Sequence, residues 1–157
     1  MKTKKYAKII TAILLVSLLA LTLFACFDSG NDSEGTMTLV LLNGDDTKEY
    51  VVDMSKLPSG NSQSTGLVAI LDYLQDDGQL TYSIDNGGLL NQVGDLEGNN
   101  NKHTFISIYT SVTKDISVAE WAQTVTYKDV KCTSSARGAS EMSILADCVI
   151  ILSLETW

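Results

Sequence analysis

The last apolar segment of the chain restricts its fold more than any other feature. Residues 148–154 read Cys-Val-Ile-Ile-Leu-Ser-Leu and are apolar at nearly every position. A strand with one face in water alternates apolar and polar residues, whereas an unbroken apolar run of this length is typical of a strand covered on both faces. The segment therefore predicts a central strand of a sheet.

Other segments predict strands that would surround this central one. A first hairpin is expected from Thr36 to Met54, with Met37, Leu39 and Leu41 on one face and a turn at 43–46. A second hairpin is expected from Thr124 to Cys132, because Lys128-Asp129 is a two-residue connection between two short strand-like segments. Two further strands are predicted at 80–84 and 105–109.

One segment has the spacing of a helix. Leu67, Ile70, Leu71 and Leu74 would share one helical face. Ser64 or Thr65 is expected to cap the first turn, and Asp77-Gly78 is expected to end the helix. The order of hairpin, helix and several strands predicts an α+β domain of β-grasp layout, in which one helix packs on a mixed, mainly antiparallel sheet.

The first 25 residues have the layout of a secretory signal peptide. Four lysines lie within the first eight residues, and an apolar run follows from Ile9 to Phe24. The tetrad Leu23-Phe24-Ala25-Cys26 resembles the bacterial lipobox, which implies cleavage before Cys26 and a diacylglycerol thioether on its sulfur. An uncleaved transmembrane anchor is the alternative, because the apolar run is close to the length of about 17 residues that spans a bilayer.

This interpretation divides the chain into a signal peptide at 1–25, a tether at 26–35 that begins with the lipidated Cys26, and a domain at 36–157. The tether is polar and glycine-rich. Its root-mean-square reach of about 15–20 Å would keep the domain close to the membrane. The protein is therefore expected outside the cytoplasm of a bacterium, held at the cell surface by its lipid, since two acyl chains anchor stably.

The predicted mature chain is strongly acidic. The first 25 residues contain four of the 11 Lys and Arg and none of the 19 Asp and Glu, so 7 basic and 19 acidic residues remain and the formal net charge is −12. Such a surface repels phosphate backbones and anionic headgroups. Nucleic acid is therefore not an expected partner, and the membrane is expected to be reached only through the lipid.

Two cysteines remain beyond Cys26. Disulfides persist outside the cytoplasm, and only one pairing is available within the domain. A Cys132–Cys148 bridge is therefore predicted, closing a loop of about 15 residues. The alternative is a pair of buried thiols that pack as small apolar residues.

The sequence shows no clear catalytic or metal-binding pattern. His103 is the single histidine, and it is interpreted as a loop residue because no serine or cysteine context indicates an activated nucleophile. The polar loop at 95–101 offers oxygen ligands of the kind that calcium prefers, but it lacks the spacing and the distal Glu of a calcium loop. No catalytic residue, metal or cofactor is predicted.

Four segments carry a family resemblance. Gly66–Leu74, Leu80–Ser83, Phe105–Ser111 and Thr126–Lys131 resemble domains of unknown function that are related to the C-terminal β domain of transcobalamin. The similarity extends over most of 36–157. It implies a β-grasp fold and recognition of a small molecule such as a corrinoid.

Three aromatic residues of the second half are the candidate ligand contacts: Tyr109, Trp121 and Tyr127. Large rings with one polar edge commonly line small-molecule sites, although ordinary packing in a sheet is the alternative. The leading hypothesis is a non-enzymatic binding domain that holds a small molecule or short surface ligand near the membrane, for example for a transporter. The alternative function is a cell-surface interaction or adhesion module that uses an exposed sheet edge.

Overall fold

Strands are the main regular secondary structure in the described part of the protein. The computed structural model describes residues 34–57 and 66–157, which contain nine strands, one α-helix and three short 3-10 helices. The strands are β1 (Thr36–Asn43), β2 (Asp46–Asp53), β3 (Tyr82–Ile84), β4 (Leu90–Val93), β5 (Leu96–Glu97), β6 (Thr104–Thr110), β7 (Thr124–Tyr127), β8 (Val130–Ser134) and β9 (Val149–Thr156). The α-helix is α1 (Leu67–Asp76), and the 3-10 helices are Met54–Lys56, Asn100–Lys102 and Thr113–Asp115.

The strands form two sheets with β9 in the interior of the larger one. Its six strands follow the order β2-β1-β9-β6-β8-β7, and the smaller sheet has the order β3-β4-β5. β9 runs parallel to β1 and antiparallel to β6. Ile150, Ile151 and Leu152 are each 0% exposed. The prediction of a central strand covered on both faces is therefore confirmed.

Each face of β9 belongs to a different core. Ile150 and Leu152 pack in the larger core, which also contains the buried leucines of α1. Ile151 packs in a smaller core with Val40 of β1 and Tyr109 of β6. This division follows from the strand itself, since successive side chains point to opposite faces.

The β7–β8 hairpin covers the smaller core. β8 pairs with β6 only at Thr133 and Ser134, and the tip of the hairpin reaches the opposite edge of the sheet. There the hydroxyl of Tyr127 and the ammonium of Lys128 both donate to the Glu49 carboxylate of β2. The six-stranded sheet is therefore curled until its two outermost strands are in contact.

The predicted α+β class with its β-grasp layout, one helix packed on a mixed sheet, is wrong, because the domain is mainly β and its six-stranded sheet is curled. A hairpin of the large sheet itself covers the second face of that sheet. Residues 82–97 form a second sheet, and the described residues contain only one α-helix, of ten residues. The polar loop predicted at 95–101 contains β5 and the start of one 3-10 helix. Periodicity identified most individual elements correctly but could not show which element covers which face.

The helix begins differently from the prediction. Its buried residues are the expected Leu67, Ile70, Leu71 and Leu74, and Gly78 follows its end with a φ of 71°. Ser64 and Thr65, the predicted caps, lie outside the described residues. The N-cap is Gly66, which has no side chain to offer. The amide of Leu67 donates instead to the carbonyl of Ala139 at 2.7 Å.

The predicted disulfide is not formed. Cys132 and Cys148 are free and buried, and they pack in different cores, Cys132 in the smaller and Cys148 in the larger. Burial raises the pKa of the Cys132 thiol to about 11 and raises that of Cys148 as well. The two cysteines therefore behave as small apolar residues, which was the alternative.

The predicted signal peptide, the lipidation site Cys26 and most of the tether lie outside the described residues. Lipid attachment at Cys26 therefore stays a prediction. Within 34–57 and 66–157, no helix is both long and apolar enough to cross a bilayer.

Candidate functional site

A groove of about 350 Å³ lies along the free part of β6. Its floor is formed by residues 105–109. One wall comes from the 88–90 turn with Ala139, and the other comes from Trp121, Gln123 and Glu155. Leu90 and Ala139 belong to the larger core, whereas Tyr109 belongs to the smaller one. The groove therefore follows the edge of the strand, with one wall on each side of the sheet.

The groove exists because β8 leaves β6 early. β6 pairs with β9 over its whole length, whereas on its other edge the last bond toward β8 joins the Ser135 amide to the Ile108 carbonyl at 2.8 Å. At the far end of β6, Asn99 and Thr104 exchange two backbone bonds of 2.9 and 3.1 Å. The edge of β6 is open between these two closures.

Tyr109 lies at the floor of the groove and is only 2% exposed. Its hydroxyl donates to Oε1 of Glu155 at 3.0 Å, and Oε1 of Gln123 lies 3.4 Å away. The pKa of Tyr109 is raised from 10.0 to about 12. Burial is the largest cause, and the hydrogen bond to Glu155 is the second. The phenol is protonated at neutral pH, and its hydrogen bond orients the Glu155 carboxylate.

Glu155 and Arg137 provide opposite charges along the groove. Glu155 is half-buried and Arg137 is exposed. The ion pairs among the described residues are Lys48–Asp95 and Lys128–Glu49, so neither Glu155 nor Arg137 has an ionic partner in this part of the chain. Both charges are available to a ligand.

Trp121 stands at the mouth of the groove and is 71% exposed. Its segment is tied to β8, because the Ser117 amide donates to the Ser134 carbonyl at 2.7 Å and the Gln123 amide donates to Ser134 Oγ at 3.0 Å. The indole is thus an exposed apolar surface on an anchored loop. Such a ring is suited to contact a ligand.

The structure brings two of the three predicted ligand contacts together. Tyr109 and Trp121 both line the groove, whereas Tyr127 does not. Tyr127 lies at the hairpin tip, bonded to Glu49, with the Lys128 ammonium 5.2 Å from its ring centroid. Its visible role is to hold the curled sheet closed.

Sequence reasoning missed Glu155, Gln123 and Arg137. One signal for Glu155 was present, since an acidic residue directly follows the apolar run of the central strand. Gln123 and Arg137 reach the groove from loops whose paths depend on tertiary contacts.

One face of β6 points to the same side of the sheet as Glu155. Alternate residues of a strand share a face, so this face carries Phe105, Ser107 and Tyr109. Glu155 is opposite Phe105 in β9 and therefore lies on the same side.

The polar loop at 95–101 is occupied by internal contacts. Asp95 forms an ion pair with Lys48 beside a second cavity of about 270 Å³, and the Asn99 side chain accepts bonds from the amides of Asn101 and Lys102. Within 34–57 and 66–157, no three His, Cys, Asp or Glu side chains are placed to hold a metal ion. His103 packs against Trp157, with the ring centroids 5.6 Å apart.

The raised pKa of Tyr109 predicts a loss of stability at high pH. Between pH 10 and 12 the unfolded chain releases the phenolic proton before the folded protein does, so stability that is complete below this window is lost across it. A difference of two pKa units corresponds to about 2–3 kcal/mol in the free energy of unfolding. Tyr109→Phe should therefore show a shallower decline in urea unfolding over this window. An identical decline in both proteins would mean that a group other than Tyr109 titrates in this window. The pKa of Tyr82 is also raised, but Tyr82 is present in both proteins and so does not affect the comparison.

Comparisons with known proteins give no family. No family model matches the chain, and no curated protein matches it. One solved structure that aligns with the chain is described as "a putative metal binding protein from Ruminococcus gnavus ATCC 29149". It has 11% sequence identity and a TM-score of 0.49, and the alignment covers 79% of this chain and 99% of that one. Similarity at this level does not assign metal binding to this chain, and the resemblance to transcobalamin-related domains stays a prediction.

Proposed function

We propose that this chain is a lipid-anchored extracytoplasmic binding domain without enzymatic activity, and that the groove beside β6 captures its small ligand. One observation supports this most. Two aromatic and two charged residues line the groove together: Tyr109, Trp121, Glu155 and Arg137. The two charged side chains have no ionic partner in the described residues. Apolar surface with a few placed polar groups is typical of ligand sites.

The groove offers little for catalysis. General acid–base catalysis is most efficient when the pKa of the catalytic group lies near the operating pH, and burial raises the pKa of Tyr109 to about 12. Among the described residues that line the groove there is neither His103 nor a cysteine. These features favour capture of a ligand over its conversion.

The volume of the groove and the net charge of the chain restrict the class of ligand that the groove can bind. The volume of about 350 Å³ is at the lower end of the range of about 300–1,000 Å³ for small-molecule pockets. This favours a small molecule or a short segment of a larger one, rather than a whole corrinoid enclosed by the groove. The net charge of −12 after residue 25 favours a cationic ligand. A tether of ten residues would present the ligand close to the membrane, where a transporter partner would receive it.

Trp121→Ala tests the groove as a binding site. The full chain, purified in detergent, is examined by native mass spectrometry with a panel of corrinoids and small cationic metabolites. Truncation of a tryptophan that acts as a binding hot spot typically costs about 2 kcal/mol or more, so an adduct that depends on Trp121 should weaken by about 30-fold.

Val51→Ala is the control, because Val51 is also an exposed apolar residue, at 61%, and lies on the outer strand β2, outside the described lining of the groove. An adduct that survives Trp121→Ala, or that weakens equally in both variants, would place the ligand elsewhere and contradict the proposal.

A further inference from the structure

Ile106 has an open backbone edge inside the groove. On either side of it, Thr104 bonds to Asn99 and the Ile108 carbonyl accepts from Ser135, both on the edge away from β9. Alternate residues of a strand direct their N–H and C=O groups to the same edge, so those of Ile106 also point away from β9. No backbone bond on this edge involves Ile106 within the described residues, although the residue is only 8% exposed. Buried backbone groups are normally paired.

The open edge has the length of a short strand. From Thr104 to Ile108 the chain rises about 13 Å at 3.3 Å per residue, which leaves room for about three extended residues between Asn99 and Ser135. In a strand laid there, the residue opposite Ile106 would point to the wall formed by Leu89, Leu90 and Ala139. Its two neighbours would point to the wall that contains Trp121 and Glu155.

We propose that the groove binds an extended peptide segment, which adds to β6 as a short strand and carries an apolar residue opposite Ile106 with a basic residue beside it. Addition of a peptide strand to a free sheet edge is an established mode of recognition, in which main-chain bonds give affinity and alternate side chains give specificity. The inference rests on the proposed function, because it names the ligand class of the same groove.

Charge sets the position of the basic residue. Glu155 lies opposite Phe105 in β9, at the Asn99 end of the open edge. One oxygen of Glu155 accepts from Tyr109, and the carboxylate has no ion pair in the described residues. Arg137 follows Ser135 by two residues, at the other end, and would repel a second cation. A lysine or arginine opposite Phe105 would point to the face that carries the Glu155 carboxylate.

An array of capped synthetic peptides of about five residues tests the inference, with binding to the full chain in detergent followed by calorimetry. The array places lysine or arginine next to an apolar residue, and a second set replaces the basic residue with glutamate. We expect the basic set to bind and the acidic set to bind at least tenfold more weakly. The central amides of a binding peptide are then N-methylated one at a time. At one position the affinity should fall about tenfold, because the methyl group removes the N–H that donates to the Ile106 carbonyl.

Two protein readouts separate strand addition from simple charge attraction. Glu155→Gln retains an acceptor for Tyr109 and should weaken the basic peptides about tenfold, whereas Glu141→Gln, an exposed acid outside the groove, should not. Hydrogen exchange of the Ile106 amide should slow at least tenfold in the complex.

The inference is overturned if no peptide binds, or if N-methylation and Glu155→Gln leave the affinity within twofold. If peptides fail while a small-molecule adduct depends on Trp121, the groove is a binding site for another ligand class and the proposed function stands. If neither peptide nor small molecule binds there, both fail.

Discussion

Gly66→Ala is expected to lower the free energy of unfolding by about 2–6 kcal/mol, combining backbone strain with a steric clash. Gly66 has φ 62° and ψ −141°, a conformation that essentially only glycine adopts. A Cβ there would lie 2.7 Å from the Ala139 carbonyl oxygen and 2.9 Å from that of Met142. Both contacts are with backbone, which cannot rotate away.

The segment that would be displaced is itself fixed. The Ala139 carbonyl accepts from Leu67 at the start of α1. The buried Asp115 carboxylate accepts from the Ser143 amide at 2.5 Å, and the Asp115 carbonyl accepts from Ala136 at 2.8 Å. The clash is therefore expected to shift the helix and its leucines, with a cost to the larger core.

Gly78→Ala is the matched control. Gly78 also has a positive φ, 71°, but beyond its chain neighbours no atom of the described residues lies within 4 Å of the position that its Cβ would take. Its cost should be limited to backbone conformation, about 1–2 kcal/mol. Urea unfolding of both variants measures the difference. Equal costs would show that the close approach at Gly66 contributes nothing.

Ile150→Ala and Ile151→Ala are each expected to lower the free energy of unfolding by about 2–5 kcal/mol. The two residues are adjacent and point to opposite faces, yet both are 0% exposed. In a sheet with one face in water, only one of two adjacent positions would carry such a cost. A large loss of unfolding free energy in both variants would therefore show that the β7–β8 hairpin buries the second face of the sheet.

Val51 and Val52 of the outer strand β2 provide the comparison. Val52 is 0% exposed, whereas Val51 is 61% exposed. We expect Val52→Ala to be clearly destabilising and Val51→Ala to stay within about 0.5 kcal/mol of the parent protein. If Ile151→Ala were as mild as Val51→Ala, the hairpin would not be packed on the sheet as the structure has it.

The same hairpin connects stability with the candidate site. It covers Ile151 and Tyr109, and its early departure from β6 leaves Ile106 at an open edge. Variants that loosen the hairpin tip, where Lys128 and Tyr127 meet Glu49, are therefore expected to affect the shape of the groove as well as the smaller core.

Local sequence patterns determined most of the elements. The hairpin turns at Gly44 and at Lys128-Asp129, the helical face from Leu67 to Leu74 and the buried strand before Trp157 were all predicted correctly, because turn conformations and apolar spacing are properties of neighbouring residues. Tyr109 and Trp121 were also identified as candidates from their type.

Tertiary structure decided the fold class and the site. The predicted α+β domain became a mainly β one because a hairpin, and not a helix, covers the second face. Cys132 and Cys148 lie in different cores instead of forming a bridge, and a carbonyl 72 residues away in the chain, that of Ala139, caps the helix in place of a side chain. The groove depends on where β8 leaves β6. Each of these outcomes is set by contacts between residues distant in sequence, which local propensity does not encode.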